Sequence, residues 1–132
     1  MMSITTILVA SAILTFLMLG TGSFFRNQAW APGGIARAIG NRDNLPPPLP
    51  ITGRADRAAK NMLENLAIFT ALAAAVHFAG KDNAQAQFGA NVFFWMRVAY
   101  WPAYLTGIAY ARTVVWVVSI AGLAMMAAAA WW

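Results

Sequence analysis

The chain has no cysteine, only four acidic residues and a single histidine among 132 residues. Without cysteine, disulfides, thiolate metal sites and thiol catalysis by a protein side chain are all excluded. Any thiol nucleophile would have to arrive with a ligand. Charged residues make up 10% of the chain, well under the ~25% usual in soluble domains, while 61% is hydrophobic. No charged side chain occurs from Met1 to Phe25 or from Thr113 to Trp132. A soluble core of this length could not bury so much apolar surface. Together with a mean hydropathy of +0.60, the composition points to one membrane-embedded, all-α domain.

Four segments have the length of a membrane span, at approximately 3–25, 55–80, 86–111 and 113–132. The last would be ~30 Å long as a helix, the thickness of a bilayer core. The first lacks a basic leading region, so a spanning helix is expected there rather than a signal peptide. The connection over 26–54 is long for a bundle, where ~2–8 residues is usual. Within it, Ile35 to Ile39 suits a short amphipathic turn at the membrane surface, and Pro46, Pro47, Pro48 and Pro50 force a stiff extended stretch. Gly80 to Gln85 is a short turn that makes its two helices antiparallel neighbours. The third connection is almost absent, turning around Tyr110 to Arg112, and Pro102 is expected to kink the third helix.

The formal net charge is +5, yet the nine Lys and Arg form no basic tail, so nucleic acid is not an expected partner. Topology explains them better. Arg26, Arg37, Arg42 and Arg54 fall in the first loop, Arg57 and Lys60 follow at its exit, and Lys81 is offset by Asp82. The positive-inside rule then puts the first and third loops in the cytoplasm and both termini on the non-cytoplasmic side. Trp131 and Trp132 suit an interfacial belt. His77, near the outer end of the second helix, reads as a packed or interfacial residue and not as a ligand.

Two polar stripes stand out against this apolar background. Arg57, Asn61, Glu64 and Asn65 share one helical face, and Arg97, Tyr100, Tyr104 and Ile108 share another, with Arg112 beyond it. An ionised side chain at bilayer depth is disfavoured by at least ~2.5 kcal/mol and usually has a partner. If the second helix starts near Arg54, Asn61 lies ~10 Å deep and Glu64 ~15 Å deep. Tyr104 and Arg97 then lie ~10 and ~21 Å deep on the returning helix, which predicts a Glu64–Arg97 ion pair beneath a cationic mouth of Arg57 and Arg112. The bland readings are a buried pair that fixes helix register and, for Arg112, a topology anchor. The functional reading is a pocket for a small, multiply charged zwitterion. In it, Arg112 would favour the anion of a bound thiol.

The run from Arg57 to Glu64, Arg-Ala-Ala-Lys-Asn-Met-Leu-Glu, resembles the R-A-x-x-N-x-x-E signature of the MAPEG superfamily, the membrane-associated proteins in eicosanoid and glutathione metabolism. Arg97, Tyr100, Tyr104 and Arg112 are similar to that family's third-helix stripe, and Asn41 to Asn44 lies in a matching long first loop. The resemblance implies a bacterial-type member, a four-transmembrane-helix bundle assembled as a homotrimer in an inner membrane. It implies glutathione as cosubstrate, contacted by Arg57, Lys60, Asn61, Glu64, Arg97, Tyr100 and Tyr104. It also implies catalysis by Arg112, which would activate the thiol, with help from Tyr104. The expected activity is glutathione transfer to lipophilic electrophiles or glutathione-dependent reduction of lipid hydroperoxides, with the lipophilic substrate entering from the bilayer. The competing reading is a non-catalytic membrane module that binds lipid or stabilises a partner complex.

Overall fold

A computed structural model describes residues 1–131. Five helices follow one another: α1 (Ile4–Asn27), α2 (Gly34–Ile39), α3 (Pro50–Phe78), α4 (Ala84–Thr106) and α5 (Ala109–Trp131). No strand occurs among the described residues. The boundaries follow local chemistry. Ser3 caps α1 by accepting the Thr6 amide, and Asn83 caps α4 by accepting the Ala86 amide at 3.0 Å. Pro50 occupies the first turn of α3, where its missing N–H is no loss. Gly107, at φ +80°, takes the left-handed conformation that ends α4.

These signals correct three expected boundaries. The second long helix begins at Pro50, not near residue 55, because proline starts a helix as readily as it stiffens a loop. The third ends at Thr106, not 111, because Gly107 caps it. The last connection therefore turns at Gly107–Ile108, and Arg112 lies in the first turn of α5. By length and composition α1, α3 and α5 suffice to cross a membrane. α4 has a similar length, but Gln85, Gln87, Asn91 and Arg97 are spread along it and leave it outside that group.

The four long helices form an up-and-down bundle. α3 and α4 are central, each touching the other three long helices, while α1 and α5 flank them without touching each other. Two apolar clusters fill the interior. One, toward the end that carries the chain termini, is built around Ile7, Phe69, Val76, Phe93 and Met126, with Phe69 and Phe93 stacked at 4.8 Å. The other, toward the loop end, joins Leu14, Met18, Ala58, Ala59, Met62 and Tyr100. At the loop end Arg26 pairs with Asp56 at 2.6 Å. Arg54 donates to the Leu105 carbonyl at 2.8 Å, satisfying one of the last carbonyls of α4. At the other end the Asn91 amide group clasps the Met2 backbone, donating to its carbonyl and accepting from its N–H.

Gly89 and Gly122 let α4 and α5 approach closely, as small residues do in membrane bundles. A methyl group on Gly122 would fall 2.6 Å from the Gly89 carbonyl oxygen and 2.8 Å from the Phe93 amide nitrogen. Both are backbone atoms that cannot swing aside. Gly122→Ala is therefore expected to destabilise the bundle by ~1–3 kcal/mol. Gly20→Ala, which meets nothing within 4 Å, should be neutral or stabilising by up to ~1 kcal/mol. Thermal unfolding of the two variants in detergent checks the opposite signs.

Candidate functional site

α3, α4 and α5 each bring polar side chains to one cleft near the loop end. The inward stripe of α3 is Ala55, Ala58, Ala59, Met62, Asn65 and Phe69. At 100° per residue, Asn61 sits at the edge of that stripe and can reach inward, whereas Arg57, Lys60 and Glu64 point away from it. They are exposed on the outer face of α3. On α4, Phe93, Arg97 and Tyr100 recur at helical spacing on the buried face.

Arg97 is wholly buried. Its Nη1 donates to Asn61 Oδ1 at 2.7 Å, and its guanidinium lies 5.4 Å from the Phe93 ring centre and 5.2 Å from that of Tyr100. Its Nε and Nη2 have no hydrogen-bond partner among the described residues. Tyr100 meets Tyr104 edge to face at 5.2 Å, and the Arg112 guanidinium lies over the Tyr104 ring at 4.8 Å. A continuous ladder of cation and aromatic groups thus runs from mid-bundle to the start of α5.

The expected Glu64–Arg97 pair does not form within the chain. The only ion pair among the described residues is Arg26–Asp56. The reason is register. Measured from the observed helix ends, Asn61 is ~16 Å along α3 and Arg97 ~13 Å from the end of α4. The amide and the guanidinium therefore share a level, and Glu64 is a turn deeper on the outer face. Asn65 is buried and turned back on its own helix, donating to the Asn61 carbonyl at 2.8 Å.

Asn61, Tyr100, Tyr104, Arg112, Thr113 and Trp116 line a cleft of about 230 Å³. Sequence reasoning missed Thr113 and Trp116. Their spacing from Arg112 along one helix was the available signal, hidden while that helix was thought to start at residue 113. It also took Arg54 for a loop residue, although it braces the end of α4. A larger recess of about 410 Å³ lies at the opposite end between α1 and α3. Its walls are mostly apolar, with His77 and Asp82 at the rim, and it is remote from the clustered cations. The smaller cleft is the one with chemistry.

Arg112 stands at the N-terminal turn of α5, which has no acidic residue. The partial positive charge of that helix end adds to the guanidinium, and both favour an anion in the cleft.

A helical membrane bundle with a cation-lined cleft among three helices is the class that fold and site define. A family model of the MAPEG family matches residues 3–132, and the chain belongs to that family of membrane proteins of glutathione-related or eicosanoid metabolism. Neither curated proteins nor solved structures gave a match.

The Arg97–Asn61 bond generates a test. Asn61→Leu strands a third guanidinium donor in the interior and is expected to destabilise by ~1.5–3 kcal/mol. Adding Arg97→Met removes the stranded charge, so the double variant should unfold at a higher temperature than Asn61→Leu alone. With Arg97→Met measured alone, losses that simply add in the double variant would show that the two side chains are energetically independent.

Proposed function

We propose that the chain binds glutathione and transfers it to lipophilic electrophiles, or uses it to reduce lipid hydroperoxides. The observation that carries this reading is the convergence of Asn61, Tyr100, Tyr104 and Arg112 on one cleft, with Arg97 buried behind it and bound to Asn61. Family membership supports it, since MAPEG members generally use glutathione. The donor set fits the ligand. Guanidinium groups receive carboxylates through a planar fork. Arg97 keeps two buried donors unspent, and Asn61 offers an amide. Bound glutathione would supply the thiol that the chain lacks.

Arg112 and the N-terminus of α5 favour the thiolate over the thiol, so the bound thiol's pKa falls below the ~8.5 of a free cysteine. The thiolate sulfur then supplies both electrons of the new C–S bond, and Tyr104, stacked beneath Arg112, is placed to donate a proton to the departing group. The lipophilic partner would approach from the bilayer.

The reading includes a homotrimer with the site completed between copies. Arg57, Lys60 and Glu64 lie exposed on a helix apolar enough to span a membrane. The cleft of one chain, about 230 Å³, is below the ~300–1,000 Å³ usual for ligand sites. A neighbouring copy would cover the first and enlarge the second. The loop end is assigned to the cytoplasm of a bacterial inner membrane, with both termini opposite, from the excess of arginine in the first connection.

Purified protein titrated with glutathione, followed by ultraviolet thiolate absorbance against pH, tests this. Arg112→Ala should leave binding within a few-fold of the wild type, raise the bound thiol's pKa and lower turnover. Arg112→Lys should restore part of the loss, because it returns the charge without the fork. Unchanged thiol pKa would remove Arg112 from the chemistry. Binding without turnover on any electrophile or hydroperoxide would place the chain among non-catalytic membrane modules.

A further inference from the structure

The first connection carries exposed apolar residues that the glutathione site does not use. Phe24 and Phe25, at the end of α1, pack on Trp30 at ring-centre distances of 5.5 and 5.9 Å. Beyond them α2 exposes Ile35 and Ile39, and Ile39 is 82% exposed. The two isoleucines are four residues apart and share a helix face. α2 is not free to swing. Gly34 packs against the backbone of Gln28 and Ala29. Arg37 donates to the Asn27 carbonyl through Nε at 3.3 Å and Nη2 at 3.1 Å. The apolar face is thus held in a fixed relation to the end of α1, a helix long and apolar enough to cross a membrane.

The charge around α2 is one-sided. Between Arg26 and Arg54 the chain has Arg37 and Arg42 against Asp43 alone. Neither arginine is in an ion pair among the described residues. Arg37, Asn41, Arg42, Asp43 and Asn44 line an open cup of about 390 Å³, and Arg37, two positions from each isoleucine, lies on the opposite side of α2. An apolar side and an arginine-bearing side on one short helix, at the end of a helix long enough to span a membrane, match the chemistry of an anionic lipid surface: acyl chains beneath, phosphate above.

We propose that the α2 segment is an in-plane membrane anchor that docks on anionic phospholipid. Trp30, Ile35 and Ile39 enter the interfacial zone, and Arg42 meets the headgroup phosphate, while Arg37 adds its charge from its place on the Asn27 and Pro32 carbonyls. α2 touches α1 and no other helix, so the anchor fixes the first connection on the lipid side of the bundle, apart from the cleft between α3, α4 and α5.

The absence of cysteine makes the test direct, since Ile39→Cys carries a single fluorescent label. The labelled full chain is placed in nanodiscs of phosphatidylcholine with phosphatidylglycerol, with a brominated quencher on one lipid or the other. Quenching is expected from both lipids, stronger from the anionic one, and Arg42→Gln should reduce that preference by up to about fivefold. A label at Ile35→Cys should respond in the same way. No quenching from either lipid would overturn the proposal, as would equal quenching by both. So would disulfide-linked dimers of the unlabelled Ile39→Cys chain together with a label at Ile35→Cys shielded from lipid, which would assign the face to a second copy.

Discussion

Arg97 constrains everything around it. A guanidinium without access to solvent must be surrounded by acceptors or aromatic faces, and the interior of this bundle provides one amide oxygen and two rings. To deliver that oxygen, α3 must present Asn61 at the edge of its inward stripe. The rotation that does so turns Ala58, Ala59 and Met62 inward, onto Tyr100 and Met18. It also sends Arg57, Lys60 and Glu64 outward. One hydrogen bond therefore links the packing of the loop-end cluster to the distribution of charge on the helix surface. The two guanidinium nitrogens left without a hydrogen-bond partner among the described residues are the cost of that burial.

The mouth of the cleft is shaped by two helix ends of opposite polarity. α4 finishes at Thr106 and α5 begins at Ala109, so a partial negative and a partial positive charge lie within a few residues of each other. Arg54 covers the negative end by binding the Leu105 carbonyl. The positive end is left uncovered, with Arg112 in its first turn. Without Arg54 the carbonyls of α4 would oppose an incoming anion. With it, that opposition is weakened. The left-handed Gly107 is what brings the two ends together, since a residue with a side chain is strained at that φ.

Much of this was legible in the sequence. Charge-free runs marked α1 and most of α5, and the spacing of Arg57, Asn61 and Glu64 showed that α3 has a polar side. The spacing of Arg97, Tyr100 and Tyr104 placed all three on one face of α4. What failed was register. A proline at a helix start reads as a loop feature and a glycine at a helix end passes for helix interior, which displaces α3 by about a turn and extends α4 by more than one. With ~1.5 Å per residue, that shift moved the depth of Arg97 by ~7 Å. That was enough to pair it with Glu64 in place of Asn61. Opposite charges on neighbouring helices invite pairing, yet only rotation about the helix axis decides whether two side chains meet.

Glu64 is in no ion pair among the described residues. It lies 14 positions from either end of α3, or ~21 Å in both directions, at the midpoint of the helix. Arg57 and Lys60 are nearer the loop end and have long stems that can carry their charge toward water. A glutamate has no such reach. A carboxylate at that depth on an outward face cannot rest against hydrocarbon, so its stability depends on a cation, a ligand ammonium group or a neighbouring polypeptide reaching it there. The homotrimer proposed above would place a neighbouring copy on that side of α3, where the alternative is a carboxyl kept neutral by a proton.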